Sequence, residues 1–152
     1  MKPRKFDLVR AETTAEALAA LSEAGGDAKI FAGGQSLMAM MNLRLADPSV
    51  MIDISPITKL SYIKETGDKL EIGAAATQVE LLSWPGLAER LPLLHQAIPH
   101  LGHFQTRNRG TICGSLAHSD PSSELPLCLA TLGGEVVLQS TKGERVLSAA
   151  DF

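Results

Sequence analysis

Two short segments of this sequence carry residue types that suit the binding of an anion. Residues 106–115, the second glycine segment, read Thr-Arg-Asn-Arg-Gly-Thr-Ile-Cys-Gly-Ser, a run of hydrogen-bond donors and small residues without an apolar period. Residues 31–37, the first glycine segment, read Phe-Ala-Gly-Gly-Gln-Ser-Leu and place a glycine pair before a helical pattern. Backbone N–H groups from two such loops can point at one anion, and a helix N-terminus adds partial positive charge. We interpret the two segments as a cradle for a pyrophosphate group.

The two segments differ in how much they say about function. A glycine pair between a strand and a helix often marks only a turn that needs a positive φ angle. The first segment also fits neither the dinucleotide fingerprint GxGxxG nor the phosphate loop GxxxxGK[ST]. The second segment is more informative, because Asn108, Thr111 and Ser115 supply side-chain donors while Gly110 and Gly114 allow a backbone to approach a ligand.

Other kinds of site are poorly supported by the spacing of the polar residues. His100 and His103 are three residues apart, with His118 and Asp120 downstream, but neither CxxC nor HExxH accompanies them. Ser115, His118 and Asp120 suggest a hydrolase triad, yet such triads are normally assembled from separate segments, and the motif GxSxG is absent. We therefore assign no metal ligand and no catalytic side chain.

Composition indicates a soluble globular protein without a nucleic-acid or membrane surface. The chain has 152 residues, 45% hydrophobic and 20% charged, with a formal net charge of −3. Its apolar runs are too short for a membrane span, and its start lacks the apolar core of a signal peptide. Cys113 and Cys128 form no CxxC pair, which favours reduced thiols and a cytoplasmic location.

The elements that position the first segment form a small β-α-β-α-β lobe, predicted over residues 1–55. Thr13 or Thr14 caps a helix that the glycine pair 25–26 ends. The apolar periods predict strands over 6–10, 29–32 and 50–54, and helices over 15–24 and 36–45.

A second lobe, predicted over residues 56–152, contains mixed strands and helices. A short helix starts at Thr77, and a helix opens at Asp120 as N-cap with Pro121 next and runs to about Leu132. The remaining elements are strands over 60–64 and 69–76, a proline-interrupted helical region over 87–101, and a closing hairpin over 135–140 and 144–147.

Read together, these segments resemble the two FAD loops of the flavoprotein subunits of molybdenum hydroxylases. This is the family of the carbon monoxide dehydrogenase medium subunit and the xanthine dehydrogenase flavin domain. The first likeness covers residues 32–37 and continues over 41–48, and the second covers 107–121 with 124–126. The order and separation of the two blocks also match, and the likeness extends from about Phe6 to the end of the chain.

The resemblance implies an α+β, two-lobed FAD-binding domain and assigns roles to particular positions. Backbone N–H groups of residues 32–37 would wrap the FAD diphosphate, and the part of the second block over residues 111–115 would close over its other side. Leu101 would pack near the flavin or its linker, and Glu124 would accept from a ribose hydroxyl. Cys113 departs from the glycine of many relatives, so its side chain is expected to point away from the phosphates. The implied contacts are Ala32, Gly33, Gly34, Gln35, Ser36, Leu37, Leu101, Thr111, Ile112, Gly114, Ser115 and Glu124.

The resemblance also implies an activity and partners. Substrate would be oxidised on a molybdopterin subunit, and electrons would pass through a [2Fe–2S] subunit to FAD on this chain and then to an acceptor. The complex would be a heterotrimer that can pair into a hexamer. The family's flavin domain continues past the hairpin into a further small α/β domain, so we expect this chain to be C-terminally truncated.

Two other functions stay open at this point. One is a non-catalytic nucleotide-binding or assembly module that keeps the fold, and the other is a stand-alone FAD oxidase. The second class usually carries a fused substrate domain, and we expect none here.

Overall fold

A computed structural model describes residues 2–152, and its N-terminal part is built around a small parallel sheet. The sheet has the strand order β1-β3-β2, with both outer strands parallel to β3. Its elements are β1 (Asp7–Arg10), α1 (Thr14–Ala24), β2 (Ala28–Phe31), α2 (Leu37–Asn42) and β3 (Val50–Asp53). This is the predicted β-α-β-α-β arrangement, and the predicted α+β class is confirmed.

Helix α1 begins and ends where local chemistry dictates. The Thr13 hydroxyl accepts a hydrogen bond from the Glu16 N–H group at 3.2 Å, and Gly25 ends the helix with φ of 62°. Ala17 is buried and packs with apolar residues of the sheet. The buried members of this first cluster are Ala11, Ala17, Ala28, Ile52, Ile54 and Ile57.

Helix α2 is shorter than its apolar period predicts. The sequence predicts a helix to residue 45, but α2 ends at Asn42 because Arg44 adopts a left-handed backbone with φ of 60°. The Arg44 N–H donates to Met41 O at 3.0 Å and the Leu45 N–H to Met40 O at 2.8 Å. These two bonds form a Schellman-type ending, which the apolar period of the sequence does not report.

The second part of the chain holds two hairpins and six short helices. They are β4 (Ile63–Thr66), β5 (Lys69–Ile72), α3 (Gln78–Leu82), α4 (Leu87–Arg90), α5 (Pro92–Ala97), α6 (Phe104–Arg107), α7 (Ile112–His118), α8 (Glu124–Thr131), β6 (Glu135–Ser140) and β7 (Gly143–Ser148). The predicted strand over 69–76 ends early, since Gly73 packs against Leu60: a Cβ at Gly73 would lie 2.1 Å from the Leu60 carbonyl oxygen. The predicted strand over 60–64 begins late because Thr58–Leu60 forms a 3-10 turn.

The predicted N-cap of the last helix is wrong. Asp120 instead closes a local turn, in which its Oδ1 atom accepts from the Ser122 N–H at 2.9 Å and from the Ser122 hydroxyl at 2.7 Å. Helix α8 therefore starts later, with Ser123 as N-cap and Glu124 as its first residue. Asp, Ser and Pro suit a turn as well as a cap, so the sequence alone does not separate the two structures.

A second apolar cluster holds the helices of this part against the β4–β5 hairpin. Its buried members are Leu81, Leu87, Leu94, Ile98, Leu101, Ile112, Leu116, Leu125 and Cys128. The predicted lobe boundary at residues 55 and 56 stays a prediction, and Ile57, Leu60 and Ala74 pack with the first cluster. No helix in residues 2–152 is long and apolar enough to cross a membrane.

Candidate functional site

The two glycine segments meet at Gly33. A Cβ atom at Gly33 would lie 2.0 Å from the Arg109 carbonyl oxygen and 2.9 Å from the Gly110 Cα atom. No side chain fits at such distances, so the two backbones are in direct contact only because residue 33 is glycine. The structure thus joins the segments that the sequence predicts to act together.

Gly34 is required for a different reason. Its φ angle is +68°, a conformation that other residues rarely adopt, and an added Cβ would lie 3.0 Å from the Phe31 ring. The turn that Gly34 makes leads directly into α2, where the Met38 N–H donates to the Gly34 carbonyl at 3.1 Å. Gln35 and Ser36 are exposed at this turn, and the Ser36 side chain makes no capping hydrogen bond.

The second glycine segment is more regular than its sequence suggests. Thr111 is the N-cap of α7, and its hydroxyl accepts from the Gly114 N–H at 3.0 Å. A Cβ at Gly114 would lie 2.5 Å from that hydroxyl oxygen. The donors in this segment therefore belong partly to a capped helix start, and the expectation of an irregular loop over the whole segment is wrong.

A backbone bridge fixes this helix start against α3. Thr77 and Thr111 form an isolated antiparallel bridge, in which the Gln78 N–H donates to Gly110 O at 2.8 Å and the Ile112 N–H to Ala76 O at 3.1 Å. Thr77 is itself the N-cap of α3. Two capped helix starts therefore lie side by side, and both cap residues line the same cleft.

The cleft has a volume of about 260 Å³ and lies between the two glycine segments. Its lining is mostly polar, and Arg109 is the one cationic residue in it. The lining residues are Ala32, Gly33, Ser55, Ser61, Ala75, Thr77, Glu80, Asn108, Arg109 and Thr111. The Arg109 guanidinium and the Thr111 hydroxyl are donors in this lining, and groups of these kinds hold phosphate oxygens.

Two acidic side chains near the cleft are occupied by hydrogen bonds within the protein. The Glu80 carboxylate accepts from the Thr77 N–H at 2.7 Å and from the Thr77 hydroxyl at 2.8 Å, which completes a capping box. Asp53 is buried and accepts from the Ser55 N–H at 2.9 Å and the Ser55 hydroxyl at 2.6 Å. Sequence reasoning missed Ser55, Ser61, Thr77 and Glu80 as cleft residues. The TxxE capping pattern at Thr77 was the available signal.

The predicted contacts are distributed unevenly over the structure. Ala32, Gly33 and Thr111 line the cleft, whereas Leu101 and Ile112 are buried in the second apolar cluster, 6% and 5% exposed. Leu37 is half-buried at the start of α2, and Gly114 is exposed. The roles that the resemblance assigns to all these residues stay predictions.

Ser115 and Glu124 are brought close to each other by the start of α8. The Ser115 hydroxyl lies 3.0 Å from the Ser123 hydroxyl, and Ser123 directly precedes Glu124. This contact joins α7 to α8 and leaves Glu124 exposed, where its carboxylate can accept a hydrogen bond from a ligand.

Cys113 is directed at the backbone of the β4–β5 hairpin. Its Sγ atom lies 3.6 Å from the Ile72 carbonyl oxygen and 3.7 Å from that of Gly73. Burial raises the pKa of the thiol to about 11, so the group stays protonated and uncharged at neutral pH. The side chain is therefore accommodated by the hairpin.

The histidines and carboxylates do not gather into a metal site. Within the part of the chain that the structure describes, no group of three or more His, Cys, Asp or Glu side chains could hold an ion.

Comparison with known proteins places the chain in a family. The family model described as FAD binding domain in molybdopterin dehydrogenase matches residues 4–152. The chain is 43% identical over 145 residues to the 6-hydroxypseudooxynicotine dehydrogenase complex subunit alpha of Paenarthrobacter nicotinovorans, covering 95% of this chain and 49% of that protein.

Solved structures give the same result. Carbon monoxide dehydrogenase from Hydrogenophaga pseudoflava matches with a TM-score of 0.95 and 40% identity, over 99% of this chain and 52% of that one. Quinoline 2-oxidoreductase from Pseudomonas putida 86 matches with a TM-score of 0.95 and 36% identity, over 100% of this chain and 53% of that one. The chain spans about half the length of the curated relatives it matches. It belongs to the family of FAD binding domains in molybdopterin dehydrogenases.

Proposed function

We propose that this chain is the FAD-binding part of an electron-transfer subunit in a molybdenum-containing hydroxylase or dehydrogenase. In this proposal, electrons arrive from a [2Fe–2S] subunit and leave to a separate acceptor. The observation that carries it is the contact between the two glycine segments, where Gly33 meets the Arg109 carbonyl beside a cleft that Arg109 and Thr111 line. Family membership supplies the identity of the cofactor, FAD.

The residues present fit the diphosphate of FAD. Gly33 lets the backbone of the first segment contact that of the second segment at Arg109, and Gly34 turns the first backbone into α2. The Arg109 side chain is exposed at the cleft and can pair with a phosphate, and the Thr111 hydroxyl lies in the same wall, whereas the Thr77 hydroxyl already donates to Glu80. Ser115 in α7 and Glu124 at the start of α8 lie near each other through the contact between Ser115 and Ser123, and these further polar groups suit a long ligand held at several points.

The residues of this chain bind and orient the cofactor. The bound flavin supplies the redox chemistry, since it can accept single electrons and deliver a pair. The residues of the cleft hold the diphosphate, and none is assigned a proton-transfer role. The Glu80 and Asp53 side chains are held in place by the hydrogen bonds that they accept from Thr77 and Ser55.

Partner subunits are part of the proposal. One relative is named as subunit alpha of a dehydrogenase complex, and another as the medium chain of carbon monoxide dehydrogenase from Hydrogenophaga pseudoflava. We infer a heterotrimer with an iron–sulfur subunit and a molybdopterin subunit, which can pair into a hexamer. A cytoplasmic location is likewise inferred from the sequence.

Titration calorimetry of the purified chain with FAD, FMN, ADP and NAD⁺ tests the cofactor part of the proposal. We expect FAD to bind more tightly than FMN. FAD carries two phosphates that can contact the two glycine segments, whereas FMN carries one phosphate. ADP is expected to retain much of the FAD affinity, since it carries the diphosphate. Equal or tighter binding of FMN would contradict a diphosphate site between the two segments.

A further inference from the structure

Arg107 makes an unusual set of contacts for an arginine that does not line the cleft. Its Nη1 atom donates to the carbonyl oxygens of Pro99 at 3.1 Å, Leu101 at 3.0 Å and Gly102 at 3.1 Å. The residue is half-buried at the end of α6. Carbonyl groups that follow a helical turn lack partners and carry partial negative charge, so a guanidinium group neutralises them well.

The contacts of Arg107 help to fix the conformation of the segment that leads into the cleft. The Asn108 side-chain amide donates to Phe104 O at 3.1 Å, and the Gly110 N–H donates to Thr106 O at 2.7 Å. Arg107 adds the links that tie this compact turn to the residues before α6. The next two residues, Asn108 and Arg109, are lining residues of the cleft.

The position of the Arg109 backbone determines how closely the two glycine segments approach each other. Because Gly33 packs against the Arg109 carbonyl with no room for a Cβ atom, a small shift of that carbonyl changes the contact directly. We propose that Arg107 is a positioning residue for the FAD site, which sets the spacing of the two glycine segments without touching the ligand. This inference rests on the proposed FAD-binding function.

Arginine and lysine differ in how well they can do this. The planar guanidinium group holds five N–H donors in a fixed arrangement, whereas the lysine ammonium carries three donors on one nitrogen at the end of a flexible stem. Arg107→Gln loses the charge and most of the contacts. Hydrogen bonds to charged groups contribute enough that we expect FAD affinity to fall by about tenfold or more in Arg107→Gln. Arg107→Lys is expected to recover part of that loss.

The test measures the FAD dissociation constant well below the melting temperature, so that only folded protein is titrated. Leu87→Ala is the control for general destabilisation, because Leu87 is 1% exposed in the core and is not a lining residue of the cleft. Arg90→Gln is the control for loss of an arginine, since the Arg90 guanidinium contacts only Gly67 and Glu65 among the described residues. Both controls are expected to keep the wild-type dissociation constant.

The outcomes separate this inference from the proposed function. A weaker FAD complex in Arg107→Gln, with partial recovery in Arg107→Lys and none of the effect in the controls, supports the positioning role. Wild-type FAD affinity in Arg107→Gln overturns the positioning role. An equal loss of FAD affinity in Leu87→Ala also overturns it, provided that the two variants have similar melting temperatures. If the wild-type chain binds no FAD, the proposed function fails and this inference falls with it.

Discussion

Gly33 and Gly34 are adjacent, yet they need to be glycine for unrelated reasons. At Gly33 the backbone conformation is ordinary and the obstacle is the Arg109 carbonyl, whereas at Gly34 the φ angle of +68° is itself unfavourable for other residues. A substitution at Gly33 therefore disturbs the contact between segments, and one at Gly34 disturbs the turn into α2.

Gly33→Ala is expected to lower FAD affinity strongly, by tenfold or more, since the new methyl group must displace the Arg109 carbonyl from a distance of 2.0 Å. Titration calorimetry with FAD measures the effect. Gly26→Ala is the matched control, because an added Cβ there meets nothing within 4 Å and Gly26 has no positive φ angle. Wild-type FAD affinity in Gly33→Ala would show that the contact between segments does not shape the site.

Cys113 shows how a side chain in the second glycine segment is accommodated. The side chain does not need the space of the cleft, because its Sγ atom faces the Ile72 and Gly73 carbonyls. A weak S–H donor in that environment is uncharged and compatible with burial. The position thus accepts a small side chain.

At the scale of elements, the site depends on two short helices whose starts are joined. α3 and α7 are each too short to be stable alone, and the Thr77–Thr111 bridge aligns their first residues. Their cap residues then serve both the helices and the cleft.

Thr111→Val tests this double role. The substitution keeps the shape of the side chain but removes the hydroxyl that accepts from Gly114 N–H, so we expect a stability loss of about 1 kcal/mol and weaker FAD binding. Thr13→Val is the matched control: it removes the same kind of cap from α1, through the Glu16 N–H, and Thr13 is not a lining residue of the cleft. Thermal unfolding and FAD titration measure the two effects. Equal FAD affinities in the two variants would contradict a role for Thr111 in the site.

Sequence patterns predict the elements of this fold well where the period is long or the cap is local. The first helix, capped by Thr13 out of the two predicted candidates Thr13 and Thr14, the three strands of the first sheet and the final hairpin are present at the predicted places. The end of α2 is not predicted, because an apolar period does not report the left-handed backbone of Arg44. The contributions of Ser55 and Ser61 to the cleft were also missed, since long-range packing brings them there and no local spacing records it.

At the scale of the whole molecule, the proposed function requires partners. Affinity purification of this chain from its native host is expected to recover an iron–sulfur protein and a molybdopterin protein, because a flavoprotein that only holds its cofactor needs an electron source. Iron and molybdenum contents, measured per chain, report their presence. The same purification after removal of bound FAD controls for non-specific recovery of metals. Recovery of the chain alone, with full substrate-dependent reduction of an acceptor, would contradict the proposed complex.

The position of β3 has a consequence for how the chain acquires its structure during synthesis. β3 is the last of the three parallel strands to leave the ribosome, yet it is the central one, and both β1 and β2 hydrogen-bond only to it within the sheet. A nascent chain that ends before Val50 holds two strands with no partner between them. The turn at Gly33 and Gly34 directly follows β2 and packs against Arg109 and Gly110, so the central strand and the second glycine segment must both be synthesised before the two segments can meet. A ligand stabilises only a state that binds it, so we expect FAD not to stabilise the earlier stages of folding.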